Sequence, residues 1–547
     1  MPQQPFRMRE CFLPFVALLA LYLSTLSNNL SASHDSIQYL NQIDAGKELF
    51  HPHHLLFNAA ARTWLRGWRL MGAGGDSSGI VAAMNALFGA LTAAVFYLLL
   101  RRRLGLSPAT ALGATAILAF SYGFWFHSVC IEVYIIPVFG LLSTLYFLTD
   151  ENAGPLSFAL AGLAHGFTVL FHQVHVLFGL AVIMAAVIHS RGRAGQIAKR
   201  LAAYAAVALP VAIVPYLFVM IRIHHIASVR DAMSWLTLYA HEGAYWKPLA
   251  PKTAALAAVG FGRTLIGGRF LFALPGSENT LGDLLGDKML ADDAFTVRGI
   301  GPSVAALLLA LSALAVLAYV AAIVQCLRGL RGAWPARRVF LLLLATWLVP
   351  YCLFFFFWDS SNVEMWIPQA VCVWLGIWAV WSVRPPLKRP LAGVAIVAMA
   401  ALLLAANLFG SILPTHSIDN DYYYRHIIGL DGLASEGDLV VLPQVWLWKA
   451  NMTRYLPSIE AVSQDVFAKE CATPEEFAKK LKTMLEERLA AGHRIFAFEE
   501  TIRPSALTRS ALGVYAGAAE GVWREYIPQM RKTINRFPYF VYILSRN

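Results

Sequence analysis

The sequence predicts an all-α polytopic membrane protein of about eleven spans with a small α/β domain at its C-terminus, outside the membrane. Three observations lead there. Of 547 residues, 58% are hydrophobic and only 14% charged, against roughly 25% charged in a soluble domain. The mean hydropathy is +0.56. Apolar runs recur along most of the chain, each near the ~20 residues that cross a hydrocarbon core as a helix. Among the short connections, Lys and Arg cluster on alternate ones. Lipid offers no partner to an unpaired amide, and the runs lack the alternation of barrel strands, so the spans are helical.

The spans are placed at 11–30, 79–100, 108–126, 131–148, 156–171, 174–190, 201–221, 302–326, 338–357, 366–383 and 391–413. Arg7 and Arg9 precede the first. Arg101 to Arg103 follow the second, Arg191, Arg193, Lys199 and Arg200 the sixth, Arg328, Arg331, Arg337 and Arg338 the eighth, and Arg384, Lys388 and Arg389 the tenth. Alternating spans put all of these on one side, while 127–130 and 358–365 hold no Lys or Arg. The turn at Asp150 and Glu151 has no basic residue, but acids weigh little here. The N-terminus is therefore expected in the cytoplasm and the C-terminus outside, in a bacterial inner membrane as the alanine-rich bias suggests. The first span is read as retained, being longer than a signal core. The net charge of +11 comes largely from these inside loops and calls for no nucleic-acid partner.

This divides the chain into a membrane domain, 1–413, with outer loops 31–78 and 222–301, and an outer domain, 414–547. In the second loop Trp235, Tyr239, Tyr245, Trp246 and Lys247 precede an apolar stretch, 253–274, interrupted by Gly267 and Gly268 and read as an interfacial helix. The outer domain shows two buried-strand patterns, 438–443 and 494–500. Between them Thr473, Pro474 and Glu476 open a helix over 474–491 with a capping box. No Gly-rich phosphate loop follows either strand. Asn451-Met452-Thr453 is a glycosylation triplet. The six cysteines show neither a disulfide framework nor zinc spacing.

Polar groups crowd the outer ends of the spans. The first loop has His34, Asp35, Asp44, His51, His53 and His54; the turn after the third span has His127 and Glu132. His172 and His175 stand between the fifth and sixth spans, and Asp359, Asn362 and Glu364 between the ninth and tenth. One such loop is explained by interfacial solvation. Four on one face, with almost none on the other, point to a site.

The acid after the first span, the "HP" segment at 51–52 and "FWFHSVCIEVY" at 124–134 resemble the GT-C superfamily of glycosyltransferases, and within it the branch related to protein O-mannosyltransferases. The likeness covers about 15–220 and returns at "FWDSSNVEMWIP", 357–368. In this chain Gln38 and Tyr39 stand where the branch has an acid, and "HPHHLLF" replaces its proline-rich turn. The resemblance implies transfer of a hexose, with inversion, from a polyprenyl-phosphate carrier in the bilayer to a protein, lipid or glycan acceptor on the outer face.

That chemistry needs a carboxylate to take the acceptor's proton. Asp35 is the candidate; capping the helix that follows is its alternative role. Leaving-phosphate charge needs cations, imidazolium or a divalent metal. Arg222, Arg263 and Arg269 are candidate clamps, or headgroup contacts. Glu132 either orients the acceptor or holds a metal, with His172 and His175 on one face of a helix. His51, His53, His54 and His127 are candidate binding residues. Asp359 and Glu364 either support the chemistry or cap the helix near Trp366. Phe354 to Phe357 are read as a wall for the carrier's lipid. A secondary transporter, or a non-catalytic partner with the same fold, would share many of these features.

Overall fold

The structure, a computed structural model, describes residues 9–238, 240, 245–277, 281, 291–383, 389–534 and 540–545. Arg7, Tyr239, Arg384 and Lys388 lie outside the described residues. The chain divides into two units. The first gathers 1–27, 42–268 and 303–413, and the second 28–41, 269–302 and 414–547.

The first unit is helical. Helices start where the sequence supplies caps: Asp76 accepts from Ser78 N ahead of Ser77–Leu98, and Ser107 from Thr110 N ahead of Pro108–Ala119, with proline at the first position. Helices Pro155–Phe171 and Ala194–Phe218 pack closely because Gly162 and Gly166 of the first present no side chain to the second. A Cβ on Gly162 would lie 2.5 Å from Tyr204 O, and one on Gly166 3.0 Å from Ala208 O.

The expected third span, 108–126, is broken: Pro108–Ala119 and Tyr122–Val129 meet at 70°. Ser121 Oγ donates back to Ile117 O at 2.8 Å, and Phe120 O accepts from Asn407 Nδ2 at 2.8 Å. The same amide donates to Leu265 O at 2.8 Å, and its oxygen accepts from Gly267 N at 3.1 Å. Leu265 ends the helix Pro251–Leu265, which packs through Phe261 on Trp366 and through Gly260 on Ser360 O instead of adding a span.

Spans eight and nine form one run of helical backbone, Pro302–Phe357. It reverses on itself. Tyr319 packs against Trp374 with centroids 4.8 Å apart, and Leu344 O accepts from Cys372 Sγ at 3.3 Å. Tyr319 and Leu344 would be ~37 Å apart along a straight helix, yet both meet adjacent turns of Ile367–Trp381. The reversal falls in the segment containing Pro335. Among the described residues five helices are long and apolar enough to cross a membrane, or six with the broken pair taken as one span, and four shorter apolar helices fall on other expected spans.

The connections rich in Lys and Arg gather at one end of this unit. Arg101 pairs with Glu10 at 3.1 Å and Arg103 with Asp150 at 2.9 Å. Arg337 donates to Arg103 O, Leu104 O and Ser382 Oγ.

The second unit is built on a five-stranded sheet of Leu439–Leu442 (β1), Glu460–Ser463 (β2), Ile495–Phe498 (β3), Arg531–Ile534 (β4) and Phe540–Leu544 (β5). The order is β2-β1-β3-β5-β4. β1 runs parallel to β2 and β3, and β5 antiparallel to β3 and β4. The helix Pro474–Ala490 is capped by Thr473 Oγ1 on Glu476 N at 3.2 Å, while Glu476 reaches back to Ala472 N at 2.8 Å. It covers the sheet with Phe477, Leu481 and Leu485, all buried. Asn451 is no glycosylation site in the folded chain: it is fully buried, and its amide donates to Leu447 O at 2.8 Å and to Ser31 Oγ at 3.3 Å.

Asn407→Leu is expected to destabilise the protein by about 3 kcal/mol or more, because three buried backbone groups lose their partner at once. Thermal unfolding in detergent reads this directly; an unchanged midpoint would show that the breaks satisfy themselves another way.

Candidate active site

Four connections of the first unit meet at the end opposite its arginines. Asn85, fully buried in Ser77–Leu98, donates to Cys130 O at 2.8 Å and Glu132 O at 2.6 Å. It thereby holds the irregular turn between Val129 and Ile135, and Glu132 on it is buried. His127 ends the preceding helix. Its Nδ1 lies 2.9 Å from Gly123 O and its Nε2 3.8 Å from Glu364 Oε2. The carboxylate of Glu364 also accepts from Tyr134 OH at 2.8 Å and Asn362 Nδ2 at 2.7 Å. It also stands in the first turn of Val363–Trp366, ahead of Ile367–Trp381. Asp359 takes the other contact of Asn362, at 3.3 Å. It is held at φ +41°, with its N–H on Tyr245 O at 2.9 Å, a strained geometry for a residue with a side chain.

The histidines continue from there. Tyr134 lies against His172 (centroids 5.6 Å), and His172 against His175 (5.5 Å). These two do not share a helix face as their spacing suggests. Gln173 N leaves the helix to bond His53 O at 2.8 Å, so His172 is extended at φ −162°. His175 sits in a 3-10 turn with Nδ1 3.0 Å from Tyr351 OH. His51 stacks on His54 at 4.3 Å and meets His53 edge-on at 5.2 Å. Burial lowers the pKa of His51 to about 4, helped by His53, and burial lowers His53 likewise to about 4; the group is neutral at pH 7. Among the described residues no three His, Cys, Asp or Glu side chains are placed to hold a metal ion.

His53, His172, Tyr134 and Gln173 line one part of a cavity of about 750 Å³. The rest of its wall is mostly apolar, from Pro155–Phe171, Ala194–Phe218 and the end of Pro302–Phe357, and among the described residues no Lys, Arg, Asp or Glu lines it. Phe354 and Phe355 belong to the wall; Phe356 and Phe357 do not. Leu209, Ile213 and Leu217 line it while themselves exposed, so it opens sideways onto an apolar surface. Arg222 is exposed and Arg263 half-buried, and neither lines the cavity.

Asp35 belongs to the second unit. It stands at the N-cap position of Ser36–Ala45, its carbonyl accepting from Tyr39 N at 2.9 Å and its carboxylate from Tyr39 OH at 3.4 Å. His34 before it has φ +70°. Arg269 is buried, pairs with Asp293 at 2.6 Å and donates to Ala32 O at 2.6 Å, which makes it an anchor of this segment. Asp421, read from the sequence as nothing in particular, accepts from Ser31 N at 3.1 Å. Asp292 was likewise missed; the adjacent acids Asp292-Asp293 were the available signal. It is 1% exposed and 4.0 Å from His34 Nε2, and burial, with the neighbouring Asp293, pushes its pKa well above the usual carboxylate range. Asp44 is exposed and accepts from Ser77 Oγ at 2.6 Å.

No protein-family model matches the chain, and no curated protein matches it in sequence. Solved structures do. ArnT from Cupriavidus metallidurans bound to undecaprenyl phosphate superposes with a TM-score of 0.51 at 12% identity, over 98% of each chain. Its apo state gives 0.53 at 11% identity, over 97% of each. At this identity the likeness is one of fold, and it spans nearly the whole of both chains. The S. cerevisiae protein O-mannosyltransferase Pmt1-Pmt2 complex bound to its sugar donor aligns over 48% of this chain and 37% of that one, at 18% identity and TM-score 0.33, too distant to carry a structural argument. The sequence resemblance is read at 15–220 and 357–368; the structural alignment covers 98% of the chain.

The neutral imidazoles give a pH signature. Between pH 6.5 and about 4 the unfolded chain takes up protons that His51 and His53 in the folded chain do not, so stability falls on acidification through that window and is unaffected above it. Thermal midpoints of the protein and of His53→Gln, followed from pH 7 to pH 4, should converge as the wild type loses its advantage; parallel curves would mean that His53 is solvated.

Proposed function

We propose that this protein transfers a sugar from a polyprenyl-phosphate carrier to an acceptor at the non-cytoplasmic face, with inversion. The observation that carries the reading is the apolar cavity: it is laterally open, bounded by aromatic and aliphatic side chains, and has imidazoles, a phenol and an amide in one part of its wall. An isoprenoid tail fits the first kind of surface and a phosphate the second. The fold is shared with a protein whose structure contains undecaprenyl phosphate, which supports the same reading.

In the proposed reaction the acceptor oxygen attacks the anomeric carbon opposite the phosphate. The new C–O bond forms as the sugar–phosphate bond breaks, the phosphate leaves with the bonding electrons, and the acceptor's proton passes to the Asp35 carboxylate. Asp35 sits in a half-buried place on the short segment after the first span, which suits a group that must meet a polar acceptor and still ionise. Glu132 is proposed to orient the acceptor. His53 and His172 are proposed to donate to the phosphate, where hydrogen bonds into a poorly solvated site stabilise developing charge most.

Purified protein given a labelled polyprenyl-phosphate sugar and a membrane extract as acceptor should transfer the label, and Asp35→Asn should lower turnover about 10²–10⁴-fold, the usual worth of a general base. Asp44→Asn, at an exposed residue on the same loop, should stay near wild type. Equal activity of Asp35→Asn and wild type removes Asp35 from the chemistry; carrier binding without any transfer removes the enzyme reading itself.

The orientation is proposed from the arginine-rich end of the first unit facing the cytoplasm. Reporters placed after residue 547 and within 222–301 should both signal the outside; a cytoplasmic signal from the first would mean that the number of crossings is even.

A further inference from the structure

The segment carrying Asp35 is bound into the α/β unit through the helix that follows β1. Asn41 Nδ2 donates to Ala450 O at 2.9 Å and Asn451 Nδ2 to Ser31 Oγ at 3.3 Å. That helix, Trp446–Tyr455, begins at the carboxyl end of β1. The chain passes from β1 outward to β2 and then returns across β1 to β3, so the crevice between the carboxyl ends of β1 and β3 is where a parallel sheet of this kind offers a ligand its place. At this end stands Trp446, 39% exposed although its neighbours Leu447 and Trp448 are buried. The Trp446 ring lies 5.3 Å from that of His34, tilted by 56°, and Asp35 is the next residue. Behind His34 is the carboxylate of Asp292, almost fully buried, whose oxygens have no hydrogen-bond partner among the described residues.

We propose that Trp446 and His34 form the acceptor subsite, and that the acceptor presents a pyranose ring to the indole. This rests on the transferase reading above and on Asp35 as its base. An exposed indole is a poor surface to leave in water and a good one for the axial C–H face of an all-equatorial sugar, whose hydroxyls remain free at the rim. His34 supplies a polar edge to that platform, and the carboxylate of Asp292 behind it can hold a proton-bearing Nε2 toward the protein. A hydroxyl of the stacked ring would then lie near the residue that takes its proton.

The probe is N,N′-diacetylchitobiose, whose rings are all-equatorial, added to the full chain in nanodiscs and read by saturation-transfer NMR. Saturation is expected on the axial ring protons. Trp446→Ala should weaken binding about tenfold, and Trp446→Tyr should restore most of it, while undecaprenyl phosphate binds all three proteins alike. No saturation in the wild type, or equal saturation in Trp446→Ala, overturns the subsite. Failure of undecaprenyl phosphate to bind the wild type would instead fall on the transferase reading.

Discussion

In the first unit one buried amide meets three backbone groups that two helix breaks leave over. Asn407 donates to Phe120 O, where the third span bends, and to Leu265 O, where the helix Pro251–Leu265 stops; its oxygen receives Gly267 N–H just beyond. In a hydrocarbon environment no water replaces such partners. The bend at Phe120 carries Tyr122–Val129, and with it His127 and the turn holding Glu132. The stop at Leu265 lets the chain leave the helix rather than cross. Much of the candidate site therefore hangs from a residue that makes no claim to chemistry.

A similar economy governs the site itself. Asn85 fixes the peptide of Glu132, and Asn362 joins Asp359 to Glu364. The departure of Gln173 N to His53 O brings the first loop against the turn of His172. Each is a side chain or amide satisfying backbone or carboxylate that would be costly to bury alone. Together they set imidazoles and a phenol into the wall of an otherwise mostly apolar cavity.

The second unit shows how a terminal domain can take possession of a distant loop. Ser31 N on Asp421, Arg269 on Ala32 O and Asn41 on Ala450 O bind residues from three parts of the chain. The α/β domain thus holds the segment on which Asp35 stands, and the helix that follows its strand β1 opens with an exposed Trp446 whose ring lies against His34.

By itself the sequence determined the class of the protein: a chain of apolar helices, the arginines gathered at one end of them, the strands at 438–443 and 494–500, the capped helix between them, and the polar loops that meet. Hydropathy, charge and caps are local properties, legible wherever a run of residues must satisfy lipid, water or its own backbone. Only the tertiary structure decided the 70° break in the third span, the doubling back within Pro302–Phe357 and the loss of a helix at His172. It also separated Arg269, an anchor, from Arg222, exposed and away from the cavity, and brought forward Asn407, Asp292, Asp421 and Trp446. These depend on which distant group meets which, and a buried polar group declares its partner only once the chain has folded around it.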